Sequence, residues 1–268
     1  MKHKNLTKEQ WARLKPLLPP RKPWTGRTNL PHRRIINGIL WILRTGAPWE
    51  ELPRRYGNYK TVSSRYYRWC KDGIWERIFA ELQAQADIDG DLDWTIHFVD
   101  STVVRAHQHA AGAKGSDADT EALGRSQGGF STKLNVRAEG NGKPMSFVLQ
   151  PGQRHESKAF EPLMQKGAVK RPYRSRPRRR PRRVCGDKAY SNRRIRRYLR
   201  QKGIRVTIPR KADERRRGPF DKSLYKLRAR VEQLINRLKQ FRRIATRYEK
   251  RAANYLGMVT IGAILLYL

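Results

Sequence analysis

Apolar positions along the chain follow two different periods, and the change falls just after residue 90. Up to that point the spacing is helical. Thr7 and Gln10 have the spacing of a capping box ahead of Trp11, Leu14 and Leu18. In "LPHRRIINGILWILRTG", Pro31 suits a first turn and Gly46 a stop, with a helical stripe of Ile35, Ile36, Ile39, Leu40 and Leu43 between them. "WEELPRRYGNYKTVSSRYYRWCKDG" predicts a short helix, a turn near Gly57 and a second helix. That second helix buries Val62, Tyr66 and Trp69 and turns Lys60, Arg65, Arg68 and Lys71 outward. The succession suits a helix-turn-helix, and equally a plain helical packing domain with a solvated basic face. "DIDGDLD", residues 87–93, alternates aspartates. Leu92 stands where a calcium loop needs glycine and no glutamate closes it, so a solvated linker is expected.

Beyond the linker, "WTIHFVDSTVVRA" alternates on a strand period, with Ile96, Phe98, Asp100, Thr102 and Val104 on one face. Residues 105–129 are small, polar and glycine-rich, a long loop. "FSTKLNVRAEGNGKPMSFVLQPG" is a hairpin turned at Asn141-Gly142. A helix is expected around 156–167, then an exposed arginine and proline run over 171–183. A strand "VCGD", a helix "SNRRIRRYLRQKG", a strand "IRVTIP" and long closing helices follow, with 225–250 as one amphipathic helix. The order predicts an α/β domain on a mixed sheet over 91–268, preceded by a helical domain over 1–90.

Charge narrows the partner. The chain has 268 residues and carries 60 Lys+Arg against 23 Asp+Glu, a formal net charge of +37. Neutralising phosphates releases condensed counterions, so the expected partner is a nucleic acid. A membrane is not expected, because no polybasic patch flanks a spanning helix. The apolar ending "YLGMVTIGAILLYL" has 14 residues, short of the ~20 needed to cross a bilayer. A buried C-terminal helix is the expectation. Two distant cysteines, Cys70 and Cys185, fit a reducing cytoplasm, and the charged start predicts no secretory leader.

Three acids stand where structure alone would not favour them. Asp100 lies mid-strand among apolar neighbours, where an unpaired charge is costly. It either pairs with an arginine or holds a metal. Asp187 ends a strand, where open α/β sheets bind ligands, or it caps the following turn. Glu232 lies beside the buried stripe of Leu227, Val231, Leu234, Leu238 and Phe241. It shares a line with Tyr225, Arg228 and Lys239, about 130° round the helix. An ion pair between Arg228 and Glu232 is the simpler reading. The three carboxylates could also converge on one metal cluster, since Mg²⁺ prefers hard oxygen donors and metals drive phosphodiester chemistry. His107 and His109 are expected as exposed loop residues rather than ligands, because soft imidazole suits Mg²⁺ poorly.

Taken together, these segments resemble the DDE transposases of the bacterial insertion sequence 5 family. "NGILWILRTGAPWEELP" and "YGNYKTVSSRYYRWCKDGIW" are similar to its N-terminal DNA-binding region. "VDSTVVRAHQHAAG" is similar to its first-aspartate strand, "GDKAYSN" to its second-aspartate motif and "YKLRARVEQLINRLKQFRRIATRYEK" to its glutamate region. The resemblance implies a ribonuclease H-like catalytic fold. It implies that Asp100, Asp187 and Glu232 bind two Mg²⁺, with Mn²⁺ as a substitute. The signature tyrosine and arginine fall on Tyr225 and Arg228, and its last basic position on Lys239. Lysine there keeps the charge and loses bidentate phosphate recognition. Lys188 is expected either at the scissile phosphate or as a solvated lysine, Tyr225 as a positioning or stacking residue, and Lys60, Arg65 and Arg68 on the DNA. The implied reaction is hydrolysis at the element's ends and joining of the 3′-hydroxyl to target DNA. The implied partners are double-stranded DNA and at least one further copy of the chain. A non-catalytic DNA-binding protein and a stand-alone ribonuclease H-like nuclease are the alternatives.

Overall fold

Local signals place the first helices much as their spacing predicts. In a computed structural model describing residues 5–20, 30–111, 113, 117, 119–172, 174–212 and 220–268, helix α1 spans Lys8–Leu14 behind the Thr7–Gln10 capping box. Helix α2 (His32–Thr45) buries its whole predicted stripe. It stops at Gly46, whose N–H still bonds the Ile42 carbonyl and whose left-handed φ of 72° turns the chain out of the helix. Asn58 caps α3 (Tyr59–Lys71), which buries Val62, Tyr66 and Trp69. The short helix expected before α3 is two 3-10 turns instead, Trp49–Glu51 and Arg54–Tyr56, each preceded by a proline. Proline disfavours helical backbone in the residue before it, and the two prolines keep this connection from continuing as an α-helix. Helix α4 (Ile74–Ile88) completes the region.

The remaining elements are β1 (His97–Ala106), β2 (Gly124–Ser126), β3 (Gly129–Ala138), β4 (Pro144–Pro151), α5 (Phe160–Gln165), β5 (Val169–Arg171), β6 (Arg174–Arg178), β7 (Arg183–Gly186), α6 (Arg193–Gln201), β8 (Arg205–Thr207), α7 (Lys222–Lys226), α8 (Ala229–Lys239), α9 (Arg242–Ala245), β9 (Thr246–Arg247) and α10 (Ala252–Tyr267). Strand β1 is central. It pairs antiparallel with β3 and parallel with β7, β3 pairs antiparallel with β4, and β7 pairs parallel with β8. The sheet is therefore mixed and ribonuclease H-like, with helices on both faces. The hairpin turns at Asn141-Gly142 as predicted. Gly142 has φ 85°, and the Glu139 carboxylate accepts the N–H groups of Asn141 and Lys143. Part of the long loop departs from expectation, since Gly124–Ser126 forms β2 along β3. Residues 112, 114–116 and 118 of that loop lie outside the described residues, as does Tyr173 in the arginine run.

Alternation along β1 builds two cores. Phe98, Val104, Leu134, Val136 and Cys185 join Val231, Leu234 and Leu238 of α8, α10 and the helices of the N-terminal region in one continuous cluster. Val99, Val184, Tyr190, Phe160, Ile195 and Leu199 form the other beneath α5 and α6. The C-terminal helix α10 is buried as expected, packed against α3 and α4. Among the described residues, no helix is long and apolar enough to cross a membrane.

Three expectations are corrected. The 225–250 segment is not one helix but α7, α8, α9 and a short strand. Thr246 and Arg247 leave helical geometry to pair with β1 at Arg105 and Ala106, and tertiary pairing overrides local propensity. The "DIDGDLD" segment is not fully solvated, because the Asp87 side chain is only 5% exposed and Leu92 is buried. The arginine run is not uniformly exposed. Arg171 Nε and Arg178 Nη1 donate to the Asp87 carboxylate at 2.9 and 3.1 Å, and Pro181 is buried.

Excess cation is accommodated inside the fold. Arg137 is fully buried and donates to His97 Nδ1 and to the carbonyls of Met164, Lys166 and Arg179; burial pushes its pKa down to about 10. Arg247 is likewise buried among the carbonyls of Glu249, Glu121, Ala122 and Lys250. Asp87 also accepts the Trp94 indole N–H at 2.7 Å. Removing it by Asp87→Ala strands three donors, and a loss of about 2–3 kcal/mol is expected in urea denaturation. A variant as stable as the wild type would show that this carboxylate anchors nothing.

Candidate active site

Two backbone elements bring the acids to one face of the sheet. Val99 of β1 pairs with Gly186 of β7, so Asp100 and Asp187 occupy the next register position on adjacent parallel strands. Adjacent strands lie ~4.8 Å apart. The fit there is tight. A Cβ on Gly186 would lie 2.9 Å from Val99 Cγ2 and 3.2 Å from the Tyr190 ring, so glycine lets β7 run this close. Beyond it, Asp187 Oδ1 accepts the Ala189 N–H at 3.0 Å and caps the Lys188–Tyr190 turn.

Helix α8 crosses β1 on the same face as Asp100. The junction of α7 and α8 falls at Leu227–Arg228, and Arg228 turns inward from it. Its Nη1 donates to Asp100 Oδ2 at 2.9 Å, and its Nη2 donates to Glu232 Oε1. One guanidinium therefore serves two carboxylates, one from the central strand and one from a helix 132 positions later in the chain. Burial raises the Asp100 carboxyl above its ordinary range. The Ser101 N–H and Arg228 pull it down, while the charges of Asp187 and Glu232 push it further up. Asp100 thus feels the charge of both other acids. Arg228, in return, is held above its usual pKa by Asp100 and Glu232, against the effect of burial.

The other predicted residues fall in three places. Tyr225 stays with the site, its ring 5.9 Å from the Arg228 guanidinium and 5.2 Å from Phe220. Lys239, in the last turn of α8, donates to the Val103 carbonyl of β1 at 3.3 Å; burial lowers its pKa. Lys188 is exposed directly after Asp187. Lys60, Arg65 and Arg68 belong to α3, which packs chiefly on α2, α4 and α10 rather than on the sheet. Lys60 and Arg68 are exposed. Arg65 is half-buried, 5.6 Å from the Trp69 ring centroid and 3.2 Å from His32 Nδ1, so it is not turned fully outward as predicted. His107 is half-buried rather than a free loop residue. It stacks on Tyr248 and accepts the His109 N–H.

Each simple partner that the sequence allowed is present: Arg228 pairs with Asp100 and with Glu232, and Asp187 caps a turn. Among the described residues, no three His, Cys, Asp or Glu side chains are grouped closely enough to hold a metal ion as they stand. The donor chemistry nevertheless suits a hard cation, because every candidate ligand is a carboxylate oxygen and two of them already face one positive centre. Sequence reasoning passed over Gly186 and Tyr190. A glycine immediately before a strand-end acid was the available signal for Gly186; the burial of Tyr190 follows only from packing.

Residues 95–268 match the family described as "Transposase DDE domain", and residues 6–79 match "Putative transposase of IS4/5 family (DUF4096)". The first match alone spans well over half of the chain. This chain belongs to the DDE transposases of the IS4/IS5 family. The transposase is 41% identical over 114 residues to "Uncharacterized protein y4sN" of Sinorhizobium fredii, covering 41% of this chain and 82% of that protein. It is 30% identical over 135 residues to the "Putative transposase for insertion sequence element IS402" of Burkholderia cepacia, covering 50% of this chain and 62% of that protein. A pre-cleavage Mos1 transpososome structure aligns over 91% of this chain and 82% of that one, with 11% identity and a TM-score of 0.27. At that score the likeness carries no argument about this transposase.

Two outcomes follow. Gly186→Ala is expected to destabilise the transposase by about 1–3 kcal/mol through overpacking, measured by thermal melting; an unchanged melting temperature would mean that β7 has room to shift. Asp100→Asn should act in the opposite direction. The folded state holds the Asp100 proton more tightly than the unfolded chain, so the charge costs stability as pH rises above the ordinary carboxylate range. Without divalent metal the variant should therefore be more stable than wild type at pH 7, as chemical denaturation at that pH would show. The gain should vanish near pH 3, where both states bind the proton. A gain that grew toward low pH would contradict the raised pKa.

Proposed function

We propose that the transposase binds the terminal inverted repeats of its insertion sequence as duplex DNA. It hydrolyses one phosphodiester at each end and joins the freed 3′-hydroxyl to target DNA. In the joining step the 3′-oxygen bonds to a target phosphorus and the target's own 3′-oxygen leaves. The observation supporting this reading is the single cation shared by Asp100 and Glu232, with Asp187 one register step away.

Asp100, Asp187 and Glu232 would hold Mg²⁺, with Mn²⁺ as a substitute. When bound, the metal supplies charge stabilisation and lowers the pKa of an attacking water. The chain's own residues do the rest. Strand register sets the spacing of Asp100 and Asp187, and α8 carries Glu232 to them. The Arg228 guanidinium occupies the space between two proposed ligands, so it competes with a metal there. Once displaced, its planar fork suits a DNA phosphate. Lys239 and Lys188 flank the same face as phosphate contacts, and the Tyr225 ring is a stacking surface beside them. Lys60, Arg65 and Arg68 on α3 are proposed to grip duplex backbone away from the carboxylates. No side-chain nucleophile is required, so no covalent protein–DNA intermediate is proposed. Two ends must meet, and at least a dimer is expected on DNA.

A second reading has an observation in its favour. Each acid already has a partner within the protein, as in a DNA-binding protein without catalysis. Labelled duplexes carrying the flanking repeats, incubated with and without Mg²⁺, separate the two. Metal-dependent cuts at the repeat ends are expected, with Glu232→Gln losing them while its DNA affinity stays within about twofold. Binding indifferent to metal, with no nicking, would favour the non-catalytic reading, and cutting without joining would favour a stand-alone nuclease.

Arg228 offers a test that does not depend on turnover. Arg228→Gln removes the competing cation, and Mn²⁺ titration without DNA should show binding tightened about tenfold, or ~1.4 kcal/mol. Weaker Mn²⁺ binding in the variant would mean that Arg228 helps to build the metal site rather than competing for it.

A further inference from the structure

The arginine run contains an ordered element that the carboxylate site does not use. Among the described residues, strands β5 and β6 pair only with each other, as a two-stranded ribbon separate from the main sheet. An isolated ribbon of this size is marginal in water. This one is pinned at several points. Arg171 and Arg178 both bond the buried Asp87 carboxylate, the Arg178 guanidinium lies 4.5 Å from the Trp94 ring centroid, and Val169 is buried. The chain leaving the ribbon is pinned as well. The Arg179 carbonyl accepts from the buried Arg137, and Arg180 Nη1 donates to the Lys202 carbonyl at 3.1 Å.

Anchoring leaves a specific group of side chains over. Arg174, Ser175 and Arg176 are exposed, and with Arg171 and Arg178 they line one shallow concavity. Four arginines line it, and Asp87 is the carboxylate that Arg171 and Arg178 bond. The mutual repulsion registers at Arg178, whose pKa is lowered by burial and then by Arg171. Surrounding sequence deepens the excess, with eighteen Lys and Arg between Val169 and Arg210 against one acid, Asp187. A concavity of this sign and rigidity is complementary to an anion, and arginine forks match phosphate oxygens two at a time. Pro177 cannot donate to a ladder, so the ribbon is poorly suited to adding a strand from a protein partner. No asparagine or glutamine lies at its tip to read bases.

We infer that the β5–β6 ribbon is a second contact for duplex DNA backbone, independent of sequence and separate from the carboxylate site. It stands at the opposite end of β7 from Asp187. Arg183 opens that strand, and four residues at ~3.3 Å each separate the two positions. The ribbon therefore holds DNA away from the scissile phosphate. Its order before binding removes the entropic cost that a floppy basic tail would meet. This inference rests on the reading that the substrate is duplex DNA.

The test uses the full chain and an Arg174→Ala, Arg176→Ala double variant, which leaves both Asp87 anchors intact. Binding to a duplex of unrelated sequence is followed by fluorescence anisotropy across a salt series. Each lost phosphate contact should reduce the slope of log K against log salt by about 0.9, so a reduction of about 1.8 is expected. The same reduction should occur on a repeat-end duplex, because phosphate contacts carry no sequence information. Ser175→Cys bearing a photocrosslinker should attach to the duplex. A variant with the wild-type slope would overturn the ribbon inference while leaving the DNA reading intact. Absence of salt-dependent DNA binding by the wild type would defeat the DNA reading itself. Crosslinking at position 175 that polyglutamate suppresses better than an equal charge of duplex would overturn the inference in favour of an acidic protein partner.

Discussion

An aspartate in the middle of the central strand cannot stay charged without a cation beside it. Strand β1 has apolar neighbours on both faces, and Asp100 is set among them with 15% of its side chain exposed. Arg228 meets this requirement and in doing so positions the helix. Its guanidinium binds α8 to β1 and brings Glu232 to the same point. Asp187 arrives independently through strand register. The candidate site is therefore built from two constraints of different kinds, one electrostatic and one set by backbone pairing.

The same guanidinium occupies the space between two of the three candidate acids. The charges of Asp187 and Glu232 raise the proton affinity of Asp100, and Arg228 opposes them as an internal cation. A fold carrying so many arginines has cations at hand for this purpose. Elsewhere it solves the converse problem, burying Arg137 and Arg247 largely among backbone carbonyls, since acids are scarce. Net positive charge thus shapes the interior as well as the surface.

Asp87 shows how the helical region and the sheet are joined. It sits in the last turn of α4, and its carboxylate gathers Arg171, Arg178 and the Trp94 indole from the segments that follow. Together with α10 packed on α3 and α4, this makes the N-terminal helices and the main sheet share one continuous core. DNA gripped as proposed, by the helices, the ribbon and the carboxylate face, would be held by elements that this core joins.

Local periodicity in the sequence determined the helices of the N-terminal region, the hairpin at Asn141-Gly142, the central strand and the buried stripe of α8. Each of these depends on residues three, four or two positions apart, and such spacings are visible in the chain itself. The candidate acids were legible for a related reason: a carboxylate in an apolar strand or beside a buried helical stripe is a local anomaly. Tertiary structure alone decided the break between α7 and α8, the strand at Thr246–Arg247 and the burial of Asp87. It also decided that Asp100 and Glu232 share one arginine. Those outcomes require partners more than eighty positions away. A strong local helix signal yields when a strand edge or a buried charge offers a better interaction. No pattern within the segment records that such a partner exists.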